Sequence, residues 1–500
     1  LWTVTANKLD GWIMDNLQPS PEFSRQVKET VKHICDFLKE QCFERNIRVQ
    51  KTVKGGSSGK GTALKNDSDA DVVLFINYFS SYKMQKKDEE RWYILDLIKK
   101  SLRSYRQNPI FTVRISEPRY KGPNNAPRSL SLTLCLHSES TEVDILPAYD
   151  ALGQVNGDNR PDPQVYVELL NTFSSPGEFS PCFTELQKFF VKRYPAKMKN
   201  LVRLVKYWYK KLVKPQHPRA DLPPKYALEL LTIYTWEQAG SKDCFVMADG
   251  FRTVLELLRR PEEICIYWEK YYSLQDIQIG QHVKGLLGAR RPVILDPADP
   301  TGILGQGSRW DLLAQKAASH LTQLPCVKDA RPWAVQPARP VEIEVRQLSG
   351  TRLSKTVSPS TTIWQLKEQI EQVWGISRYR QRLAQQEPGR SNIDLKDNET
   401  LADKGIFYDT MLLLLQTNPQ EMDVLVKNDK NQTTTYRVQP TDTVRQLKEM
   451  VHRQGGPAPD QQHMTYDSVG LEDRHTLAHY NIQPRGTIYV LGRLRGGAGP

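Results

Sequence analysis

The hydrophobic pattern of the first part of the chain predicts a small sheet followed by a long helical stretch. Residues 26–43 carry apolar side chains at helical spacing, whereas residues 72–76 are almost all apolar and indicate a buried strand. Residues 129–136 and 142–146 alternate between apolar and polar positions, as strands do. After about residue 183 the spacing is helical, with a break at Pro195 and a new helix over 197–213. We therefore predict a strand-rich lobe, about 1–182, and a helical lobe, about 183–333, with a cleft between them.

The C-terminal part contains an internal repeat. The pattern Thr-x-x-x-Leu-Lys-Glu at 362–368 recurs at 443–449, and Thr-Leu-Ala at 400–402 recurs at 476–478. Each copy starts with an alternating hairpin, continues with one helix and ends in an apolar strand. This is the β-grasp order of elements, so we predict two such domains, at 341–417 and 422–497, behind a proline-containing linker at 334–340.

Composition and charge indicate which classes of partner the protein binds. No stretch approaches the roughly 20 apolar residues of a membrane span, so we expect no membrane partner. The net charge is +12, and from Val341 to Pro500 basic and acidic residues nearly balance, at 20 and 19. Nearly all the positive surplus therefore lies in the first 340 residues, which indicates that this part binds a polyanion.

The cysteines indicate a reducing compartment. Their number, seven, is odd, they are scattered, and no Cys-x-x-Cys pair occurs. This pattern argues against a disulfide framework and against a zinc site. We expect the protein in the cytoplasm, and in the nucleus as well.

The strongest chemical signal lies between residues 55 and 76. A glycine-serine segment, Gly55–Gly61, precedes Asp69 and Asp71 on the apolar run. In a strand, residues i and i+2 point to the same side, so the two carboxylates can hold a divalent metal while the glycine segment wraps phosphates with its N–H groups. A P-loop is disfavoured, because Gly61 follows Lys60 where Ser or Thr is needed. A glycine-rich surface turn beside a solvated acidic pair remains the alternative to a metal-dependent nucleotidyl-transfer site.

The second repeat copy resembles ubiquitin closely, through Pro459-Asp-Gln-Gln462, Leu471-Glu-Asp473, Tyr480-Asn-Ile-Gln483 and Arg493-Leu-Arg-Gly-Gly497. The first copy is a more distant ubiquitin-like domain without a terminal Gly-Gly. With these domains behind them, the first 333 residues resemble the 2′-5′-oligoadenylate synthetase family. The segments that carry this resemblance are Val53-Lys-Gly-Gly-Ser-Ser-Gly-Lys-Gly-Thr62, Ser68-Asp-Ala-Asp-Val72, Val143-Asp-Ile-Leu-Pro-Ala148, Arg203-Leu-Val-Lys-Tyr-Trp-Tyr209, Leu222-Pro-Pro-Lys-Tyr-Ala-Leu-Glu-Leu-Leu231 and Arg291-Pro-Val-Ile-Leu-Asp-Pro-Ala-Asp-Pro300.

The resemblance implies an α+β multidomain chain: a polymerase-β-type nucleotidyltransferase lobe, a helical lobe and two β-grasp domains. It also implies an interferon-linked antiviral enzyme, switched on by double-stranded RNA, in which a ribose 2′-hydroxyl attacks the α-phosphate of ATP and pyrophosphate leaves. Two Mg²⁺ ions would be held by Asp69, Asp71 and Asp144. The positions matching the family's ATP contacts are Ser57, Lys60, Lys206, Lys225 and Tyr226, although many relatives have glutamine where this chain has Lys225.

The family's RNA-contacting positions fall on Lys39, Lys54, Lys188 and Lys192. One RNA contact is expected to be missing, because Ala196 stands where many relatives have threonine. Some family members self-associate through a Cys-Phe-Lys segment, which here is Cys326-Val-Lys328. Because the aromatic residue is absent, we expect a monomer.

The ubiquitin-like part is expected to recognise a protein partner. The positions of ubiquitin's apolar patch are here Asp429, Thr465 and Leu491, so ordinary ubiquitin receptors should bind weakly. Gly496-Gly497 is followed by three more residues, which makes conjugation a minority hypothesis. For the whole chain, the alternative to an RNA-activated enzyme is a catalytically weak or inactive RNA-binding adaptor. The three carboxylates favour the enzyme, and Lys225 keeps the adaptor open.

Overall fold

Two units make up the chain in the computed structural model, Leu1–Arg339 and Pro340–Pro500. The structure describes residues 1–106, 112–122, 126–156, 159–386 and 391–492. The ubiquitin-like ending at Arg493–Gly497 and the residues after it lie outside the described part.

A six-stranded mixed sheet forms the centre of the first unit, in the order β1-β2-β6-β5-β3 with β4 also paired to β5. β2 and β6 run parallel, and the other neighbouring strands run antiparallel. The predicted strands at 72–76, 129–136 and 142–146 all lie in this sheet. Its strands are β1 Val49–Gly55, β2 Ser68–Ile76, β3 Arg114–Ile115, β4 Arg119–Lys121, β5 Ser129–Leu136 and β6 Glu139–Ala148.

Helices make up most of the rest of this unit, together with a short parallel pair, β7 Cys265–Ile266 and β8 Val293–Ile294. The helix predicted over 197–213 is α-helical to Tyr207 and continues as a π-helical turn, Trp208–Val213. The α-helices are α1 Leu9–Asn16, α2 Pro21–Gln41, α3 Gly56–Lys60, α4 Tyr82–Lys86, α5 Asp88–Ser104, α6 Pro163–Thr172, α7 Thr184–Lys192, α8 Ala196–Tyr207, α9 Lys225–Gln238, α10 Met247–Leu258, α11 Ile277–Leu287 and α12 Trp310–Gln323.

Helix α2 shows why the local sequence folds as it does. Pro21 occupies its first turn, where a missing N–H costs nothing, and the Ser20 side chain accepts a hydrogen bond from the Phe23 N–H at 3.2 Å. Its apolar side chains at helical spacing, with those of α5, join one core with the sheet. Residues 72–76 of β2 are all buried, which explains their nearly continuous apolar sequence.

The glycine-serine segment, predicted as a turn, instead contains the short helix α3, which ends at Gly61 with φ of +81°. Gly56 has φ of +68°, and a Cβ there would lie 2.9 Å from both the Asp69 carbonyl oxygen and the Asp71 nitrogen. Only glycine allows this backbone conformation and this close approach. The glycine therefore lets α3 lie directly against the start of β2.

The predicted linker at 334–340 is fastened to the first unit over most of its length. The Cys265 N–H donates to the Pro337 carbonyl at 3.2 Å, and the Arg339 N–H donates to the Cys265 carbonyl at 2.8 Å. The Tyr234 hydroxyl donates to the Gln336 carbonyl at 2.6 Å. These bonds explain why the first unit extends to Arg339, beyond the predicted boundary at 333.

The second unit contains the two predicted β-grasp copies. Both sheets have the same order, β10-β9-β13-β11-β12 and β15-β14-β18-β16-β17, with the first and last long strands parallel. Both helices begin with a capping box formed by Thr and Gln. The elements are β9 Val341–Gln347, β10 Arg352–Val357, α13 Ile363–Trp374, β11 Gln381–Gln385, β12 Ile393–Asp394, β13 Thr410–Gln416, β14 Met422–Lys427, β15 Thr433–Val438, α14 Val444–Arg453, β16 Gln462–Tyr466, β17 Val469–Gly470 and β18 Thr487–Gly492.

Candidate active site

Strand register brings the three predicted carboxylates to one place. Asp71 of β2 is the direct neighbour of Asp144 on the parallel strand β6, and Asp69 lies two residues earlier on the same face of β2. Burial and the nearby charges of Asp69 and Asp144 raise the pKa of Asp71 to about 6. The negative charges of Asp69 and Asp144 are therefore close enough to Asp71 to disfavour its ionisation.

Asp69 is held ionised. Burial opposes its charge, but the Lys225 ammonium and a hydrogen bond from Ser57 outweigh burial and hold the pKa of Asp69 well below its usual range. The Ser57 hydroxyl donates to Asp69 Oδ1 at 2.6 Å, and Lys225 Nζ lies 3.3 Å from the same oxygen. Ser57 and Lys225, both predicted to contact ATP, thus contact a predicted metal ligand here.

The donor set suits a divalent cation. Asp144 Oδ2 is 2.7 Å from Lys121 Nζ, but Asp144 Oδ1 is buried without a hydrogen-bond partner. An orphaned carboxylate oxygen beside two further carboxylates fits Mg²⁺, which binds oxygen ligands. Among the described residues, however, no three Asp, Glu, His or Cys side chains form a group ready to hold an ion. In this conformation the lysine ammonium groups on Asp69 and Asp144 supply the positive charge.

A buried ion cluster lies beside this site. The Glu229 carboxylate contacts Lys206 Nζ at 3.0 Å, Lys60 Nζ at 3.3 Å and the Thr62 hydroxyl at 3.3 Å. Lys206 Nζ also donates to the Thr62 carbonyl at 2.8 Å. Burial disfavours the charge of Glu229, but Lys60 and Lys206 overcome it and bring its pKa down to about 2. The two lysines predicted to bind the triphosphate are therefore both paired with one carboxylate.

Sequence patterns did not single out Glu229, although it lies in the quoted segment Leu222–Leu231. The available signal was the single acid among ten consecutive residues of α9, Ala227 to Trp236, which are all buried. A buried acid requires a cation, and Lys206, which is buried among apolar residues of α8, is the matching charge.

Tyr226 links the cluster to a second buried acid. Lys60 Nζ lies 4.0 Å from the centroid of the Tyr226 ring, a cation–π contact, and the Tyr226 hydroxyl donates to Asp296 Oδ1 at 3.0 Å. The Gln187 side-chain amide of α7 donates to Asp296 Oδ2 at 2.7 Å. Burial and the neighbouring Asp299 raise the pKa of Asp296 to about 7. Asp296 was also missed, because its partners come from distant parts of the sequence.

Three of the four predicted RNA-contacting lysines lie together. Lys54, Lys188 and Lys192 line one cavity of about 650 Å³ in the first unit, and Ala196 lines it as well. Lys39 does not line this cavity; it is exposed near the end of α2. Lys188 and Lys192 are one turn apart on α7, so they share a face.

Other predicted positions are located as follows. Cys326 of the Cys-Val-Lys segment is fully buried. On the second β-grasp copy, Asp429 is exposed, Thr465 is half-buried and Leu491 is 54 % exposed. Across the described ranges, every helix is too short or too polar to cross a membrane.

Comparisons with known proteins cover both units. The family model "2'-5'-oligoadenylate synthetase 1, domain 2, C-terminus" matches residues 159–339, and "Nucleotidyltransferase domain" matches 34–123. "Ubiquitin-like domain" matches 340–406, and "Ubiquitin family" matches 424–495. These matches confirm the predicted fold class, an α+β multidomain chain with a nucleotidyltransferase domain and two ubiquitin-like domains.

Individual relatives agree. The chain is 39 % identical to 2'-5'-oligoadenylate synthase-like protein 2 of Mus musculus, over 98 % of both chains. It is 37 % identical to 2'-5'-oligoadenylate synthase-like protein 1 of the same organism, over all of this chain and 98 % of the relative. It is 47 % identical to 2'-5'-oligoadenylate synthase 3 of Mus musculus, over 67 % of this chain and 30 % of that protein.

The ion cluster predicts a strong coupling between Glu229 and Lys206. Glu229→Gln leaves a nearly fully buried ammonium without its main counter-charge, so we expect a loss of roughly 3–5 kcal/mol in the free energy of unfolding. Replacing both residues, Glu229→Gln with Lys206→Met, should recover most of this loss. Denaturant unfolding of the first unit measures it.

The matched control is Glu29→Gln, which removes an acid from an exposed ion pair with Arg25 and should cost less than about 1 kcal/mol. If Glu229→Gln costs no more than this control, Glu229 is not the counter-charge that the buried lysine requires.

Proposed function

The chain belongs to the 2′-5′-oligoadenylate synthetase family, and from this premise we propose that it polymerises ATP into 2′-5′-linked oligoadenylates, with release of pyrophosphate, when double-stranded RNA binds. Its nucleotidyltransferase domain supports the reaction class. We further propose a role in antiviral innate immunity, in a reducing cytoplasmic or nuclear environment.

One observation carries the enzymatic proposal: Asp71 and Asp144 are direct neighbours on parallel strands, with Asp69 on the same face and a buried Asp144 oxygen left without a partner. These residues would hold two Mg²⁺ ions. Such ions, when bound, activate an attacking hydroxyl and neutralise charge that builds up on the phosphate oxygens.

The other residues have distinct proposed tasks. Ser57 orients Asp69 through its hydrogen bond, so that the carboxylate stays ionised and correctly placed. Lys60 and Lys206 would donate to the triphosphate, an exchange of one anionic partner, Glu229, for another. The Tyr226 ring, anchored by Asp296, contacts the Lys60 ammonium through its face and would hold it in place. Charged donors held in a water-poor pocket stabilise phosphate charge better than solvated ones do.

A second candidate, the RNA-binding adaptor without efficient catalysis, is favoured by one specific feature. Lys225 pairs with Asp69 and Lys121 pairs with Asp144 in this conformation. Both lysines would compete with metal ions for these carboxylates. In either case we propose that the ubiquitin-like domains recognise a protein partner and that the chain acts as a monomer.

Loss of Asp71 should abolish synthesis if the metal assignment is right. Full-length protein is incubated with labelled ATP, Mg²⁺ and double-stranded RNA, and products that resist 3′-5′-specific nucleases are quantified. We expect Asp71→Asn to lower the rate at least about 100-fold, since several kcal/mol of transition-state stabilisation are lost. The exposed Asp243→Asn serves as control and should match wild type. Wild type without product would favour the adaptor, and equal product from Asp71→Asn would remove the metal assignment.

Removing the ammonium of Lys225 should favour metal binding. We expect Lys225→Gln to bind Mn²⁺, monitored by electron paramagnetic resonance, roughly fivefold more tightly, because the ion no longer competes with a cation 3.3 Å from Asp69. Lys210→Gln is the matched control, because Lys210 pairs with Asp67 instead. Unchanged Mn²⁺ affinity in Lys225→Gln would show that the Lys225 ammonium does not compete with the ion for Asp69.

RNA binding should depend on salt and not on sequence. In a log–log plot of affinity against salt concentration, we expect wild type to fall steeply, and Lys188→Gln to reduce the slope by about 1. Lys242→Gln, at an exposed position outside the cavity, should behave as wild type. An affinity that stays flat as salt rises would contradict an RNA interface formed by these lysines.

A further inference from the structure

The cavity that contains Lys54, Lys188 and Lys192 has a composition suited to more than a phosphate backbone. It lies between α2, the glycine-serine segment, α7 and α8, and its volume of about 650 Å³ is in the range of small-molecule sites. Lys60, Lys206 and Tyr226, the residues proposed to hold ATP, do not line it. The cavity therefore differs in its lining from the proposed donor pocket, although Asp71 of the proposed metal site lines it as well.

Its positive charge is largely uncompensated. Lys54, Lys188 and Lys192 form no ion pair within the described residues, and Lys199 and Arg203, which also line the cavity, donate to backbone carbonyls. Burial, and then the neighbouring charge of Lys192, lowers the pKa of Lys188. Asp71 is the only acid among the lining residues. An anion in the cavity would relieve this repulsion.

Part of the lining is apolar. Phe23, Val27 and Val31 of α2 line the cavity beside Ser24 and Lys28 of the same helix, and Ala63 and Ala70 add two more apolar, buried side chains. Extended RNA phosphates would gain nothing from these apolar side chains, whereas a hydrocarbon chain would be stabilised by contact with them. The apolar side chains and the lysines together select for a ligand with two chemically different ends.

We propose that this cavity binds a small amphipathic phosphate, a single alkyl chain that carries a phosphate group. The phosphate lies against Lys54, Lys188 and Lys192, and the chain lies along Phe23, Val27 and Val31. Charge complementarity selects the head and the apolar part of the lining selects the tail.

A ligand in the cavity would affect the position of the Asp69 carboxylate. Ser58 and Gly59 line it, and the adjacent Ser57 holds Asp69. The ligand would also share three lysines with the RNA face; that competition rests on the proposed function, whereas ligand binding itself does not.

Calorimetric titration of the full chain with octyl phosphate, below its micellar concentration and without RNA or ATP, tests the proposal. We expect saturable one-to-one binding, at least tenfold tighter than for octyl glucoside, which keeps the chain, or inorganic phosphate, which keeps the charge. Hydrogen exchange should slow at residues 55–61. Equal binding of octyl glucoside, equally tight binding of inorganic phosphate, or no saturable binding would each overturn the proposal.

Variants locate the site. Lys188→Gln and Lys192→Gln should each weaken octyl phosphate at least fivefold, and the exposed position of Lys192 makes the second variant safe for folding. Lys32→Gln is the matched control, because Lys32 is exposed on α2 and does not line the cavity. Unchanged affinity in both cavity variants, or an equal loss in Lys32→Gln, would show that octyl phosphate binds elsewhere. Because RNA is absent from this assay, failure here leaves the RNA proposal intact.

Discussion

Two carboxylates placed side by side on neighbouring parallel strands determine which charged side chains must surround them. The pairing of β2 with β6 puts Asp71 directly beside Asp144, and Asp69 adds a third negative charge on the same face. Like charges this close cannot all stay ionised in a partly buried site without positive charge nearby. Two features reduce this repulsion: the raised pKa of Asp71 favours its neutral form, and lysines pair with Asp69 and Asp144. A bound divalent cation would reduce the repulsion in a third way.

The same logic applies to the neighbouring ion cluster, where the excess charge is positive. Lys60 and Lys206 are buried or half-buried and need an anion, and Glu229 provides it from α9. The site thus pairs its charges internally, cations with the carboxylates and a carboxylate with the lysines. Such pairing stabilises a pocket that holds many charges. It also means that ligands must replace existing ion pairs, so binding is an exchange and not a simple gain.

Sequence patterns predicted the scaffold and the three carboxylates, but not the side chains that pair with the site residues. β5 coincides with the predicted strand at 129–136, and the repeat predicted both β-grasp orders, because these elements depend on local periodicity. The family and the fold class are confirmed, and the roles of the site residues stay predictions. Glu229, Asp296 and Lys121 were missed because their contacts join segments far apart in sequence. The helix α3 was missed because glycine disfavours helices unless tertiary packing supports one.

Helix α7 presents different groups to two environments. Lys188 and Lys192 line the outer cavity, whereas the adjacent Gln187 reaches inward to Asp296, which in turn holds Tyr226. A hydrogen bond of 2.7 Å weakens steeply when it is stretched or tilted, so a small rotation of α7 changes the anchoring of the tyrosine ring. A change that rotates α7 would therefore alter the cavity lining and the anchoring of the Tyr226 ring together.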